Sequence, residues 1–392
     1  MLSQIEGSRA VARTVAACRP QVIPAYPISP QTHIVEALSE MVAAGELASC
    51  RFVNVESEFA AMSLAIGASA AGSRAYTATS SQGLLFMVEA LYNASGLGLP
   101  IVMTVANRAI GAPINIWNDH SDAMSQRDSG WIQLYARDNQ HAADLHVLAF
   151  RLAEALSVPV MVCMDGFVLT HAVERVDVPE PAQVDAYLPP YRLPFPLDPR
   201  HPVSHGPQIH PSQGPPLQLE RARAMEDAIP VIRQKTDEFG AAFGRHYAHF
   251  VEEYMLEDAD IALVISGGHS VTCRAAIRLL RERGIKIGMA RLMWIRPFPS
   301  DDLRAALRGV KAVGVVETNL GLGGSTYGGI LAPDVTTALY HAENRPLATS
   351  FMAGLGGETV PAAEFDWMAG KLTQAIERGA VEKPAHWVGF EE

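Results

Sequence analysis

Residues 51–72 read RFVNVESEFAAMSLAIGASAAG, and this stretch predicts how the rest of the chain is organised. Its first residues, Arg51 to Val55, have the pattern of a short strand, and the small residues that follow are typical of a closely packed helix. Two carboxylates, Glu56 and Glu58, stand at the junction. A carboxylate at the carboxyl end of a strand, where a helix begins, can be partly buried and face a ligand. Glu58 is therefore the central candidate for a functional group.

A structural interpretation of the same junction stays open. Ser57 suits the N-cap position of the helix. An acidic residue in the first turn, such as Glu58, complements the helix dipole without any further role. The spacing is compatible with both interpretations.

The composition predicts a large acidic protein, most simply of two domains. The chain has 392 residues, of which 48% are hydrophobic and 19% charged, enough for more than one core. The formal net charge of −11 argues against nucleic acid as a partner. No signal peptide and no apolar run of about 18 residues stands out, so we expect a cytoplasmic protein that does not enter a membrane.

The cysteines argue against a metal centre held by this chain alone. Cys18, Cys50, Cys163 and Cys273 lie far apart, and no CxxC or Cys/His cluster occurs. The sequence therefore assigns no metal ligands, and neither a structural zinc nor an iron–sulfur cluster is expected. Any redox centre must then lie on another chain, and scattered thiols fit a reducing cytoplasm.

Strands and helices alternate over residues 1–178, which we expect to form the first domain. The pattern predicts an opening helix over 3–18 and further helices between and after the strands. The predicted strands cover residues 22–26, 51–55, 74–79, 99–106 and 158–164. Such alternation indicates a mostly parallel, doubly wound α/β sheet with right-handed crossovers.

Polar residues follow these strands, and the carboxyl ends of parallel strands are where ligands collect. The convergence is better evidence for a site than any one residue. The residues that we expect at this edge are Ser29, Glu58, Ser80, Ser81, Arg108 and Asp165.

Ser29, the turn at Ser80 and Ser81, and Arg108 also have simpler interpretations. Ser29 suits the N-cap of the next helix, with Pro30 at the first helical position. Ser80 to Gly83 can accommodate an oxygen-rich ligand or form an ordinary tight turn. Arg108 offers a fork of donors to a carboxylate or phosphate, or it forms a structural ion pair.

A long stretch without clear periodicity follows Arg108. Residues 109–131 include His120 between two aspartates and read as a binding lid or a subunit contact. His120 is a candidate proton carrier, and the alternative is a surface or interface group.

The second half of the chain begins with a change in composition. Residues 179–256 open with a proline-rich stretch, which we expect to be extended and without regular structure, and continue with a predicted helix over 217–255. Residues 257–392 again alternate strands and helices and predict a second α/β domain. Its glycine clusters, Gly267–Gly268 and Gly321–Gly324, have neither GxGxxG nor Walker A spacing, so nucleotide binding is only weakly indicated.

Several long motifs carry a resemblance to a known family. They occur in order as AYPISPQTHIVEAL (25–38), VNVESEFAAMSLAIGASAAGSRAYTATSSQGL (53–84), ANRAIGAPINIWNDHSDAMSQRDSGW (106–131), VMVCMDGFVLTH (160–171), IRPFP (295–299) and VVET (315–318). Together they resemble the α subunit of the pyruvate:ferredoxin and related 2-oxoacid:acceptor oxidoreductases over essentially the whole chain.

The resemblance implies the fold and the partners. The fold is a domain that binds the pyrimidine end of thiamine diphosphate, followed by a domain like the last one of transketolase. A β-type subunit holds the diphosphate and its Mg²⁺, and γ- and δ-type, ferredoxin-like chains carry the [4Fe-4S] clusters. The implied reaction is oxidative decarboxylation of a 2-oxoacid, pyruvate first, to an acyl-CoA, with electrons passing to ferredoxin or another acceptor.

The resemblance also implies roles for individual residues. Glu58 corresponds to the carboxylate that hydrogen-bonds the aminopyrimidine ring, and Arg108 to an arginine near the substrate carboxylate. Ser29 stands where the common family pattern YPITP has a threonine that contacts substrate, so the hydroxyl is kept and a methyl group is lost. Ser80 and Ser81 are the further candidates for contact with the cofactor.

Other functions remain compatible with the sequence. The same chemistry on 2-oxoglutarate, a branched-chain or an aryl 2-oxoacid is one. A β-type subunit of a lipoamide-linked 2-oxoacid dehydrogenase is another, and it would pass an acyl group to lipoamide. A scaffolding subunit that touches no cofactor is the non-enzymatic alternative.

Overall fold

The computed structural model describes residues 2–324 and 328–390. The strands are Leu2–Glu6 (β1), Val22–Ala25 (β2), Arg51–Asn54 (β3), Tyr76–Thr79 (β4), Val102–Asn107 (β5), Ile132–Tyr135 (β6), Val160–Asp165 (β7), Val173–Asp177 (β8), Val251–Tyr254 (β9), Ile261–Ile265 (β10), Ile287–Leu292 (β11), Trp294–Arg296 (β12), Ala312–Glu317 (β13), Leu347–Met352 (β14) and Ala385–Trp387 (β15).

The helices connect these strands and cover the sheets. They are Gly7–Ala17 (α1), Thr32–Ala43 (α2), Glu58–Ala70 (α3), Ser81–Phe86 (α4), Val88–Gly96 (α5), Ser121–Met124 (α6), Asn139–Leu156 (α7), Pro181–Tyr187 (α8), Gly214–Phe243 (α9), His269–Glu282 (α10), Ser300–Ala306 (α11), Leu331–Tyr340 (α12) and Ala362–Arg378 (α13). Within the described ranges, no helix combines the length and the apolar character needed to cross a bilayer.

The first sheet has the predicted parallel character. Strands β4, β5, β7 and β6 pair in parallel, and β2 pairs in parallel with β3. A bridge between Val22 and Ala75 places β2 beside the start of β4. Strands β5 and β7 are buried at every residue, as expected for central parallel strands covered on both faces.

The second sheet has the order β15-β14-β13-β10-β11-β9. All of its pairs are parallel except the edge pair β9 with β11. The α/β fold class predicted for both halves is therefore confirmed.

One strand connects the two sheets. β11 belongs to the second sheet, and after the single residue Met293 the chain continues as β12, which pairs antiparallel with β6 of the first sheet. Trp294 on β12 is completely buried and packs with the core of the first sheet. A second core cluster joins side chains of both halves, among them Met103 and Val264. The domain boundaries 1–178, 179–256 and 257–392 stay a prediction.

Two predicted helices are shorter in the structure. The opening helix over 3–18 starts only at Gly7, because residues 2–6 form β1 and pair with β8, a strand that periodicity did not indicate. The helix over 217–255 ends at Phe243, because Gly244 adopts a left-handed conformation with φ 69° and terminates it.

The prediction that the proline-rich stretch has no regular structure is wrong in part. It contains α8, which begins at Pro181, a residue whose fixed φ suits the first turn of a helix. The stretch is also tied to the first sheet. Arg74 donates to the carbonyl of Pro189 and forms a buried two-pronged ion pair with Glu154.

Candidate functional site

Glu58 lies at the first position of α3, at the carboxyl end of β3. Ser57 caps the helix, with its Oγ accepting from the Ala60 N–H at 3.2 Å, so the cap position is filled without Glu58. Glu58 is only 7% exposed, and no hydrogen bond from the described residues reaches its carboxylate. A buried carboxylate is costly unless something binds it. Helix α3 is therefore capped by Ser57, and the carboxylate of Glu58 is available to bind a ligand.

Gly83 approaches this carboxylate closely. A Cβ at residue 83 would lie 2.5 Å from Glu58 Oε1 and 2.7 Å from Thr79 Oγ1. An added Cβ would force these side chains to shift, so the absence of a side chain at Gly83 leaves the space that the Glu58 carboxylate occupies. The predicted turn at Ser80 to Gly83 is in fact the beginning of α4, whose first turn faces Glu58.

We predict that Gly83→Ala lowers affinity for the ligand of Glu58 at least tenfold while the chain still folds. Alanine favours a helix by about 1 kcal/mol over glycine, so α4 itself should not be weakened, but the added methyl group must displace the carboxylate. Isothermal titration of the assembled protein with thiamine diphosphate, the cofactor that the resemblance implies, measures this affinity. Gly96→Ala in α5 is the matched control, because nothing lies within 4 Å of its Cβ position. Equal affinities for the two variants would contradict the prediction.

The two serines before and at the start of α4 differ in availability. Ser80 Oγ and Thr79 Oγ1 are buried and have no hydrogen-bond partner among the described residues. Ser81 instead donates its hydroxyl to the Ala109 carbonyl at 2.5 Å, and it adopts a positive φ of 47°. Ser80 is therefore the serine whose hydroxyl is free to meet a ligand.

Arg108 follows β5, and its side chain is directed toward the turn that contains Ser29. Its Nη1 donates to the Ser29 carbonyl at 2.8 Å, and its Nε lies 3.4 Å from the Asn115 carbonyl. Arg108 is 7% exposed, and burial lowers its pKa. In the described ranges it forms no ion pair with a carboxylate side chain, so the structural alternative is not observed there.

The prediction that Ser29 caps α2 is wrong. The helix begins at Thr32, and the residue before it is Gln31, whose Nε2 donates to the Tyr26 carbonyl at 2.9 Å and holds the turn closed. Ser29 lies within this turn, is exposed, and accepts a hydrogen bond from Arg108 through its backbone carbonyl.

Asp122 accepts several hydrogen bonds at the carboxyl edge of the first sheet, and the sequence did not predict this role. The carboxylate is fully buried and accepts four hydrogen bonds, from the backbone N–H of Ser81, Arg108 and Ala123 and from Asn107 Nδ2, at 2.7–3.0 Å. Burial raises its pKa to about 6, opposed by these donors. Asp122 thus joins the start of α4 to the end of β5. Its position before an alanine in an aperiodic stretch provides no signal of this role.

His120 is buried beside Asp165, at the carboxyl end of β7. Its Nε2 lies 2.8 Å from Asp165 Oδ1, and Asp165 Oδ2 accepts from the Gly268 N–H at 3.0 Å. Burial acts to lower the pKa of His120, but the Asp165 carboxylate outweighs it and the net pKa is raised. The interpretation as a surface histidine is wrong, because His120 lies between the two halves of the chain. His269 of α10 completes the group, and burial lowers its pKa.

The stretch over 109–131 contacts the second half of the same chain. Asn115 Nδ2 donates to the Gly356 carbonyl at 3.0 Å, and the His120 N–H donates to the Thr318 carbonyl at 2.6 Å. Gly357, with φ 86°, leaves room for Trp117. The Gly321–Gly324 cluster forms a turn in which the Gly324 N–H donates to the Gly321 carbonyl at 3.1 Å.

Comparisons with known proteins identify the family to which the chain belongs. Residues 13–237 match the family described as pyruvate flavodoxin/ferredoxin oxidoreductase, thiamine diP-bdg, and residues 259–365 match pyruvate:ferredoxin oxidoreductase core domain II. The pyruvate synthase subunit PorA of Methanosarcina barkeri is 44% identical, over 91% of this chain and 89% of that protein. The ketoisovalerate oxidoreductase subunit VorA of Pyrococcus abyssi is 39% identical, over 98% and 96%.

A solved structure shares the fold at lower sequence identity. A 2-oxoglutarate:ferredoxin oxidoreductase from Magnetococcus marinus aligns with a TM-score of 0.69 and 19% identity, covering 96% of this chain and 65% of that chain. The predicted thiamine-diphosphate-binding fold is therefore confirmed. Two family matches in sequence order and relatives above 40% identity over nearly the whole length place the chain among the 2-oxoacid:ferredoxin oxidoreductases, as the α subunit that carries their thiamine-diphosphate-binding domain.

Proposed function

We propose that this α subunit acts on pyruvate and that Glu58 hydrogen-bonds the pyrimidine ring of thiamine diphosphate. The observation that carries the proposal is the Glu58 carboxylate, buried at the start of α3 without a hydrogen-bond partner in the described ranges. Pyruvate synthase subunits among the relatives support the substrate.

The residues around Glu58 fit one half of this cofactor. An aminopyrimidine ring is flat and has hydrogen-bonding atoms along one edge, and it needs a carboxylate, nearby hydroxyls and a wall without side chains. Glu58, the unpartnered hydroxyls of Thr79 and Ser80, and Gly83 supply these features. We infer that Ser80 contacts the cofactor directly, and that Ser81 supports it from behind through Asp122.

The chemistry that thiamine diphosphate supplies when bound is nucleophilic attack on a 2-oxo carbonyl and storage of the electron pair released with CO₂. Glu58 would hydrogen-bond a nitrogen of the pyrimidine ring through its carboxylate oxygen. This chain would therefore contribute the carboxylate that acts on the ring.

Arg108 is positioned to bind the substrate carboxylate. Two of its donors are held by backbone carbonyls, Nη1 by Ser29 and Nε by Asn115, which fixes the plane of the guanidinium. Its N–H groups have no carboxylate partner in the described ranges. Ser29 lies in the exposed turn before α2, and in this proposal its hydroxyl is the second contact with the substrate. Holding the carboxylate in place directs the neighbouring carbonyl toward the cofactor.

We expect Arg108→Ala to reduce kcat/KM for pyruvate about 10- to 100-fold, since hydrogen bonds to charged groups contribute about 1.5–3 kcal/mol. Steady-state kinetics of the assembled complex measures the change. Arg108→Lys should restore part of it by keeping the charge without the fork. Arg127→Ala removes a half-exposed arginine of the same stretch as a control. Unchanged kcat and KM for pyruvate in Arg108→Ala would contradict this role and leave Arg108 with a structural role only.

Partner chains complete the enzyme in this proposal. A β-type subunit binds the diphosphate with Mg²⁺ and covers the exposed Phe59 and Phe86, whose rings lie 6.3 Å apart on α3 and α4 beside Glu58. The [4Fe-4S] clusters belong to γ- and δ-type chains, because all four cysteines here are separate and buried. The co-substrate is CoA, which the solved Magnetococcus enzyme binds. Free cysteines are compatible with a cytoplasmic location.

The test is an assay of the purified complex with CoA, a low-potential dye and a panel of 2-oxoacids. We expect dye reduction with pyruvate at the highest kcat/KM. A preference for a branched-chain 2-oxoacid, as the name of the VorA relative suggests for that protein, would overturn the proposal that pyruvate is the substrate. Acyl transfer to lipoamide without dye reduction would overturn the reaction class.

A further inference from the structure

Three side chains from distant parts of the sequence meet away from Glu58. Glu6 ends β1, His33 lies in the first turn of α2, and His171 follows β7. Each offers one ligand atom, and these atoms lie within 4.8 Å of one another. His33 Nδ1 is 2.6 Å from Glu6 Oε1, and the two histidine rings lie 4.6 Å apart between centroids. Two imidazoles beside one carboxylate are a donor set that first-row divalent metals prefer.

A neighbouring hydroxyl holds the ring of His171. Thr170 Oγ1 lies 2.8 Å from His171 Nδ1 and also accepts from the Phe167 N–H at 2.8 Å. Histidines that bind metals usually donate their second ring N–H to such an oxygen, which sets the tautomer. The contact leaves Nε2 of His171 for a metal.

The group is open to solvent, so a cation can reach it. The His33 side chain is 44% exposed and that of Glu6 is 19% exposed, so solvent reaches the site from one side. Arg9 Nε lies 4.0 Å from the other oxygen of Glu6, and Arg9 also pairs with Glu40, which leaves Oε1 directed at His33. Water can complete the coordination on the exposed side, as in zinc sites with three protein ligands.

We propose that Glu6, His33 and His171 form a binding site for a first-row divalent metal such as zinc. The metal connects the β1–α1 junction, the start of α2 and the loop after β7. His33 lies four residues after Ser29, and His171 lies six residues after Asp165. Bound metal therefore stiffens the two segments that position these residues. The site does not depend on the function proposed above.

The experiment uses the full-length chain without a histidine tag, stripped with a chelator and dialysed against zinc chloride. Zinc content by mass spectrometry should reach one tightly bound ion per chain. His33→Ala and His171→Ala should each weaken binding by more than the roughly tenfold cost of losing an outer-shell partner. His341→Ala removes an exposed histidine at the end of α12 and should bind as the wild type does.

Two further measurements keep the proposal falsifiable. Circular dichroism without zinc checks folding, and Glu6→Gln, which keeps the side-chain shape, should also lose zinc if His171→Ala does not fold. X-ray absorption at the zinc edge should show nitrogen and oxygen ligands at about 2.0–2.2 Å, including two imidazoles. Zinc retained equally by His33→Ala and the wild type, no tight zinc in the wild type, or sulfur ligands would each overturn the site.

Discussion

Glu58→Gln should lower the turnover of the assembled enzyme about 100- to 10,000-fold, the range that a positioned acid–base group contributes. Glutamine keeps the size of the side chain but cannot hold the proton that a carboxylate shares with a ring nitrogen. Folding should be unaffected, because Ser57 rather than Glu58 caps α3. The measurement is pyruvate-dependent dye reduction at saturating cofactor, with assembly checked by gel filtration.

Glu56→Gln is the matched control for this substitution. Glu56 stands two residues earlier at the same junction, but it is exposed. It should therefore retain nearly full activity. Near-normal turnover in Glu58→Gln would remove Glu58 from the proposed role, whereas equal losses in both variants would indicate a general effect of charge at this junction.

Asp122→Ala should lower the free energy of unfolding of the first domain by about 3 kcal/mol or more. Four N–H donors lose their buried acceptor together, and each unsatisfied buried donor costs about 1–3 kcal/mol. Asp122 joins the start of α4, with Ser81, to the end of β5, next to Arg108. Activity should therefore also be reduced at temperatures below the melting temperature, where the variant is still folded. Asp122→Asn keeps one acceptor oxygen, so its stability and activity should lie between those of Asp122→Ala and the wild type.

Hydrogen exchange measured by mass spectrometry locates this effect. Peptides containing the amides of Ser81 and Arg108 should exchange faster in Asp122→Ala, and the thermal midpoint of the chain should fall. Asp128→Ala is the control, because the side chain of Asp128 is 66% exposed and such surface changes usually alter stability by less than about 0.5 kcal/mol. Identical exchange in the two variants would contradict a joining role for Asp122.

Much of the architecture follows from local sequence patterns. Continuous apolar runs predict the buried strands β5 and β7, and the rule that ligands bind at the carboxyl ends of parallel strands predicts one edge for the polar residues. The contact between Arg108 and the Ser29 carbonyl agrees with this expectation. The roles of Glu58, Arg108, Ser29, Ser80 and Ser81 stay predictions until the variants are measured.

Other features depend on contacts between distant residues. The approach of Gly83 to Glu58 and the four donors around Asp122 come from elements that meet only in the folded chain. Ser29 fails as a cap because the side chain of Gln31 closes the turn, and cap preferences are too weak to resist such a contact. The strand β1 was missed because its partner, β8, lies about 170 residues away in the chain.

The passage of β12 into the first sheet bears on how such a gene can be divided. A break between residues 256 and 257 would put β12 and β6 on different chains, so β6 would lie at an unprotected sheet margin, prone to aggregation, whenever the two fragments are apart. The released fragment would also expose the indole of Trp294 to water. Fission of the gene at that point is therefore disfavoured, and the two halves are expected to be inherited as one reading frame.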